Sequence, residues 1–149
     1  MSEGIRAGER FSDPRRWEDE GRGGPHIWRT LAYERDVWEP GRTVIRWNAT
    51  ADYAFPARDG HIVHGGMVAT VLDSAMGGAA WTVLDNDESF LTADLHVEFI
   101  RASRPGMLSA DGRVVQRNRR VIFCSAELFD DEGTLLAAAR CTQVVLPSR

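Results

Sequence analysis

Between Ile62 and Leu84 only one fully charged side chain, Asp73, interrupts a run that is otherwise apolar, small or weakly polar. Val68, Val71, Leu72, Ala75, Met76, Ala79 and Val83 recur in it at spacings of three and four, which predicts a helix over about Gly65 to Val83. A membrane span needs ~20 predominantly apolar residues. This run is broken by Gly65, Gly66, Thr70, Ser74, Gly77, Gly78 and Thr82 and has polar flanks. A helix apolar on nearly every side that does not span a membrane has to be buried at the centre of a fold. Whatever else the chain forms must cover it.

The rest of the chain reads as strands able to do so. Leu31–Trp38 and Thr43–Thr50 flank Glu39-Pro40-Gly41-Arg42, a hairpin turn, and a loop from Ala51 to Ile62 follows with Pro56 and Gly60. After the helix the period switches to two: Leu91, Ala93, Leu95, Val97 and Phe99 alternate with Thr92, Asp94, His96 and Glu98. Turns at Pro105-Gly106, Asn118-Arg119 and Asp130-Asp131-Glu132-Gly133 then separate strands over Met107–Arg117, Arg120–Phe129 and Leu135–Leu146. Short turns imply antiparallel neighbours. The expectation is an α+β domain over 28–149, with one long helix wrapped by a curved antiparallel sheet of about six strands. Residues 1–27 are charged, Gly-rich and aperiodic, and are expected to be an extended or weakly ordered arm.

The total of 149 residues fits one domain, and a net charge of −4 argues against a nucleic-acid surface. No apolar leader stands at the N-terminus, so a cytoplasmic setting is expected, with Cys124 and Cys141 reduced in the core. The chain has no lysine at all, which excludes Schiff-base and pyridoxal-phosphate lysines and the P-loop lysine. His61 and His64 lack a third ligand at useful spacing, so no metal is expected.

Chemistry concentrates at the start of the helix. His64-Gly65-Gly66 opens it, leaving backbone N–H groups free with the positive end of the helix dipole behind them. Glycine there lets a substrate oxygen approach closely. Asp73 falls at the border of the apolar stripe beside Ala69 and Met76. A carboxylate against apolar neighbours is costly unless it has a role or a partner. Eight residues at 1.5 Å rise separate it from Gly65 by roughly 12 Å along the axis, too far for one carbonyl to touch both. If they act together, Gly65 of one subunit meets Asp73 of another, at an interface carrying two such sites.

The segment HIVHGGMVATVLDSAMG resembles the signature of PaaI-type (phenylacetate-pathway) hotdog thioesterases, and the likeness continues through LTADLHVEFIRASRPG, covering roughly residues 28–147. The resemblance implies a hotdog fold and hydrolysis of an acyl-CoA to free acid and CoA, with no cofactor, by a homodimer or a dimer of dimers. It implies that Asp73 is the catalytic carboxylate, as base on water or as nucleophile. Gly65 then polarises the thioester carbonyl, with His64 positioning that turn and Gly66 beside it. Thr92 matches a small hydroxyl residue near the reaction centre. Where the family commonly has Asn, six residues before His64, this chain has Arg58, a departure that bears on how water is held. Met76, Ala79, Trp81 and the 51–62 loop are candidates for the acyl pocket. Arg101, Arg104, Arg117, Arg119 and Arg120, at strand ends and turns, are candidates for the CoA phosphates. A hotdog hydratase and a non-catalytic acyl-CoA binder are the other readings.

Overall fold

The computed structural model describes residues 26–85 and 88–147. The expected arm over 1–27 lies outside them except for its last two residues. These open a short helix, α1 (His26–Thr30), where the sequence reads as strand-like from Trp28. Backbone bonds from Leu31 to Ile27 and from Tyr33 to Trp28 close it, and Ala32, at φ 55°, turns the chain out. The first strand therefore starts at Glu34 rather than Leu31.

The main sheet is antiparallel throughout, in the order β1 (Glu34–Glu39), β2 (Arg42–Ala49), β6 (Gly106–Arg117), β7 (Val121–Phe129), β8 (Leu135–Leu146), β5 (Ser89–Phe99). The β1–β2 connection is the two-residue Pro40-Gly41 turn, with Gly41 at φ 79°, a position that type II geometry reserves for glycine. The segment expected to be a loop is instead a 3-10 turn (Ala51–Tyr53) followed by a separate hairpin, β3 (Ala54–Ala57) with β4 (Gly60–Val63). Strands of four residues, one carrying Pro56, give little periodic signal. Tertiary bonds hold them: Arg104 donates to the carbonyls of Asp59 and His61, and Val63 N–H to that of Ser103.

The long helix, α2 (Gly65–Trp81), lies against the sheet, and its buried positions are Val68, Val71, Leu72, Ala75, Met76, Gly78, Ala79 and Ala80. They pack on fully buried Ile45, Trp47, Ala110, Ile122 and Leu128 from β2, β6 and β7. The sheet does not wrap every side. Met67, Thr70, Asp73, Ser74, Gly77 and Trp81 form a second stripe at spacings of three and four that is only half-buried. No helix among the described residues is long and apolar enough to cross a membrane.

Helix and sheet meet most closely at Gly112 on β6. A Cβ at that position would overlap the carbonyl of Ala75 and lie 2.8 Å from the Met76 nitrogen, both backbone atoms of α2. Neither side has a flexible end to yield. Gly112→Ala should therefore lower unfolding free energy by about 3 kcal/mol, the upper part of the overpacking range. A denaturation midpoint equal to wild type would show that the helix shifts freely.

Candidate functional site

The N-terminus of α2 leaves a single donor unused. His64 is the cap: its Nδ1 accepts from Gly66 N–H at 2.9 Å, and its carbonyl accepts from Met67 and Val68 at 2.9 and 3.2 Å. Of the first four helical N–H groups, only that of Gly65 has no partner among the described residues. The acceptor role requires Nδ1 of His64 to be unprotonated. Gly65 faces a cavity of about 290 Å³ shared with Phe55, Val68, Phe99, Ile100 and Arg101. The Phe99 ring packs so near that a Cβ on Gly65 would sit 3.3 Å from it.

Asp73 lies elsewhere, two turns along α2 on the half-buried stripe. It lines a different cavity, of about 330 Å³, walled by Trp28, Trp38, Trp81 and Phe90, with Arg35 and Thr92 contributing polar atoms. The Arg35 guanidinium stands over Trp38 and Trp28, 4.4 and 5.0 Å from the ring centroids. Within one chain, then, Gly65 and Asp73 open into separate cavities, as their ~12 Å axial spacing requires. Burial raises the Asp73 carboxyl above its ordinary value, and a hydrogen bond from Thr92 Oγ1 to Oδ1, at 3.0 Å, opposes that rise. Its other oxygen has no protein partner among the described residues.

Thr92 reaches Asp73 because β5 is irregular. Thr92 pairs with Gln143 and Asp94 with Thr142, so Ala93 is an extra residue, a β-bulge. The strict alternation read from the sequence holds from Leu95 to Phe99 and is inverted before the bulge. Phe90 and Thr92 point inward, and Leu91 is 62% exposed. Had the alternation run unbroken, Thr92 would face away from the helix.

The other candidates are dispersed. Arg58 is exposed at the tip of the β3–β4 turn, and Arg104 braces that same hairpin. Arg101 lines the Gly65 cavity while donating to the Leu135 carbonyl at 2.8 Å. Arg119 is exposed in the β6–β7 turn, at the end of the sheet where Arg117 pairs with Glu88 at 2.7 Å, away from Gly65. Met76 and Ala79, expected at the acyl pocket, are fully buried and line neither cavity, because their side chains face the sheet. Trp81 does line the Asp73 cavity. The residues that sequence reasoning missed are Trp28, Arg35, Trp38, Phe90 and Gln143; strand periodicity carries no sign of a cavity between a strand and a helix.

The thioesterase superfamily matches residues 60–137, from the β3–β4 hairpin through α2 into the start of β8. The chain belongs to this family. A protein of Saccharolobus solfataricus described as a candidate esterase is 30% identical over 101 residues, 68% of this chain and 69% of its own length. Among solved structures, a Ralstonia eutropha protein described as a candidate thioesterase related to phenylacetic acid degradation superposes with a TM-score of 0.77. It is 25% identical and covers 89% of this chain and 99% of its own. A Bacillus halodurans protein solved with CoA superposes at 0.73, with 23% identity, over 90% of this chain and 84% of its own. The helix-on-sheet architecture shared with these solved structures is the hotdog fold.

Proposed function

We propose that the protein hydrolyses acyl-CoA thioesters to free acid and CoA, at sites built from Asp73 of one copy and Gly65 of another. The observation that carries this is the single unused N–H at the α2 N-terminus, on the same helix as a half-buried carboxylate that cannot reach it within one chain. The family, the CoA held by the Bacillus neighbour and the phenylacetate link of the Ralstonia neighbour all support the choice of thioester.

A second copy has a surface to join. β5 is an edge strand of 11 residues, with Leu91 and Phe99 62% and 58% exposed, and long apolar edges invite pairing. An isologous pair would carry two sites. In each, the Gly65 N–H donates to the thioester oxygen as negative charge develops there. Asp73 takes a proton from water on its unbonded oxygen. The water oxygen attacks the carbonyl carbon, the C–S bond breaks, and CoA leaves as thiolate to collect the proton. The aromatic cavity beside Asp73 is the seat for the acyl group, and Arg101, which lines the Gly65 cavity, is the cation for the CoA phosphates. Thr92 tunes Asp73, whose base form is lost as pH falls through a value already raised by burial. Thr92→Val removes the opposing hydrogen bond, so the acid limb of kcat/KM should move to higher pH. An unmoved limb would separate Thr92 from the reacting group.

Thiol release from a panel of aromatic and short-to-long aliphatic acyl-CoAs, followed with a disulfide dye, tests the activity itself. Release above background from at least one substrate is expected; none from any would refute hydrolysis of free acyl-CoA.

A further inference from the structure

Gln143 on β8 is fully buried, and both ends of its side-chain amide are engaged. One end lies 2.9 Å from Thr92 Oγ1 and the other 3.2 Å from Cys141 Sγ. Thr92 Oγ1 is in turn 3.0 Å from Asp73 Oδ1. Four side chains from β8, β5 and α2 thus form one line from a core thiol to the carboxylate. Cys124 stands opposite Cys141 in the β7–β8 register, at the inner end of the line.

Protons along this line can be counted. Thr92 has one hydroxyl proton, a neutral amide has donors only on nitrogen, and an ionised carboxylate only accepts. With the amide oxygen toward Thr92, as the heavy atoms stand, that one proton faces two acceptors, Gln143 and Asp73. One of the two contacts then has no proton, unless Asp73 carries one. With the amide turned over, every contact is served: Cys141 S–H donates to the amide oxygen, the amide N–H to Thr92 Oγ1, and Thr92 O–H to Asp73. Amide oxygen and nitrogen fill the same space, so the network decides which way they point.

We propose that Gln143 is a positioning residue for Asp73: while the carboxylate is ionised, the amide nitrogen faces Thr92 and commits the threonine's only proton to Asp73 Oδ1. The opposite orientation is open only to the protonated carboxyl, which supplies the missing proton itself, so ionisation of Asp73 rules it out. The consequence for rate rests on Asp73 being the reacting carboxylate; the proton arrangement does not.

The test is a carbon-13 titration of the Asp73 carboxyl in the full chain, which needs no substrate. The other ionisable groups around Asp73 are Tyr33 ahead of β1, Arg35 on β1 and Cys141 on β8, and Asp94 on β5 acts in turn on Cys141. Thr92→Val should raise the titration midpoint by roughly one pH unit, and Gln143→Met, of similar length but without polar hydrogens, by part of that. The double variant should match Thr92→Val alone, because Gln143 acts through the threonine. A midpoint unchanged in Gln143→Met, or effects that add in the double variant, would overturn the proposal; a merely structural glutamine gives one of these. Should Gln143→Met fail to fold, wild type suffices. Above the midpoint, the Gln143 amide protons should show nuclear Overhauser contacts to Thr92, and contacts to Cys141 instead would overturn the assignment. Failure here leaves the thioesterase reading standing, and absence of thiol release leaves these titrations unaffected.

Discussion

Asp73→Asn should cut thiol release from an acyl-CoA by ~100-fold or more while the protein stays folded, the order of loss that removing a general base brings. Asparagine keeps the shape of the side chain and still offers Thr92 an oxygen, so the 3.0 Å contact survives and only the base is lost. Stability should move the other way. Burial raises the folded-state value of Asp73 above its unfolded one, so the ionised carboxylate withdraws stability at every pH above the folded value. That cost is relieved as pH falls through the carboxylate range, and a neutral amide never incurs it. The variant should therefore melt at or above the wild-type temperature at pH 7, and should lack the wild-type gain on acidification. A variant that lost activity only by unfolding would contradict this account of the residue.

Gly65→Pro is the complementary lesion. Proline suits the first position of a helix, where its fixed φ fits and its missing N–H breaks no helical bond. The preceding residue must be extended, and His64 already is, at φ −57° and ψ 133°. The substitution thus deletes the one unused donor at this helix end and leaves the His64 cap on Gly66 in place. Loss of an oxyanion donor typically costs ~100- to 1000-fold in kcat. Gly65→Ala separates donor loss from crowding, since it keeps the N–H but places a methyl 3.3 Å from the Phe99 ring. It should lose far less. Equal losses in both variants would assign the effect to crowding of the cavity.

How far these residues were legible in the sequence depends on the range of the interaction that places them. The helix was legible because its apolar spacing is local and Asp73 is its lone charge. Gly65 and His64 follow from its boundary, which the structure sets at Gly65. Strands β6 to β8 lie within a residue or so of their expected bounds, since Pro-Gly, Asn-Arg and the acidic turn mark each end. The bulge at Ala93 has no such mark. It is fixed by which β8 residue each β5 residue meets, and it decides that Thr92 faces Asp73. The β3–β4 hairpin hid for a similar reason, being held by Arg104 from some 40 positions away. Met76 shows the converse error: helical spacing gives the stripe but not which stripe faces a cavity, and this residue faces the sheet. The aromatic wall draws on α1, β1, α2 and β5, so nothing short of the folded chain assembles it.

The central claim is that one site takes Asp73 from one copy and Gly65 from the other, and a heterodimer tests it most directly. Asp73→Asn and Gly65→Pro subunits, carrying different affinity tags, are co-expressed, and the mixed dimer is purified through both tags. In that dimer one site carries both lesions and the other carries neither, so thiol release should return to about half the wild-type rate per dimer, while each parent homodimer stays inactive. A mixed dimer as inactive as its parents would contradict the shared site.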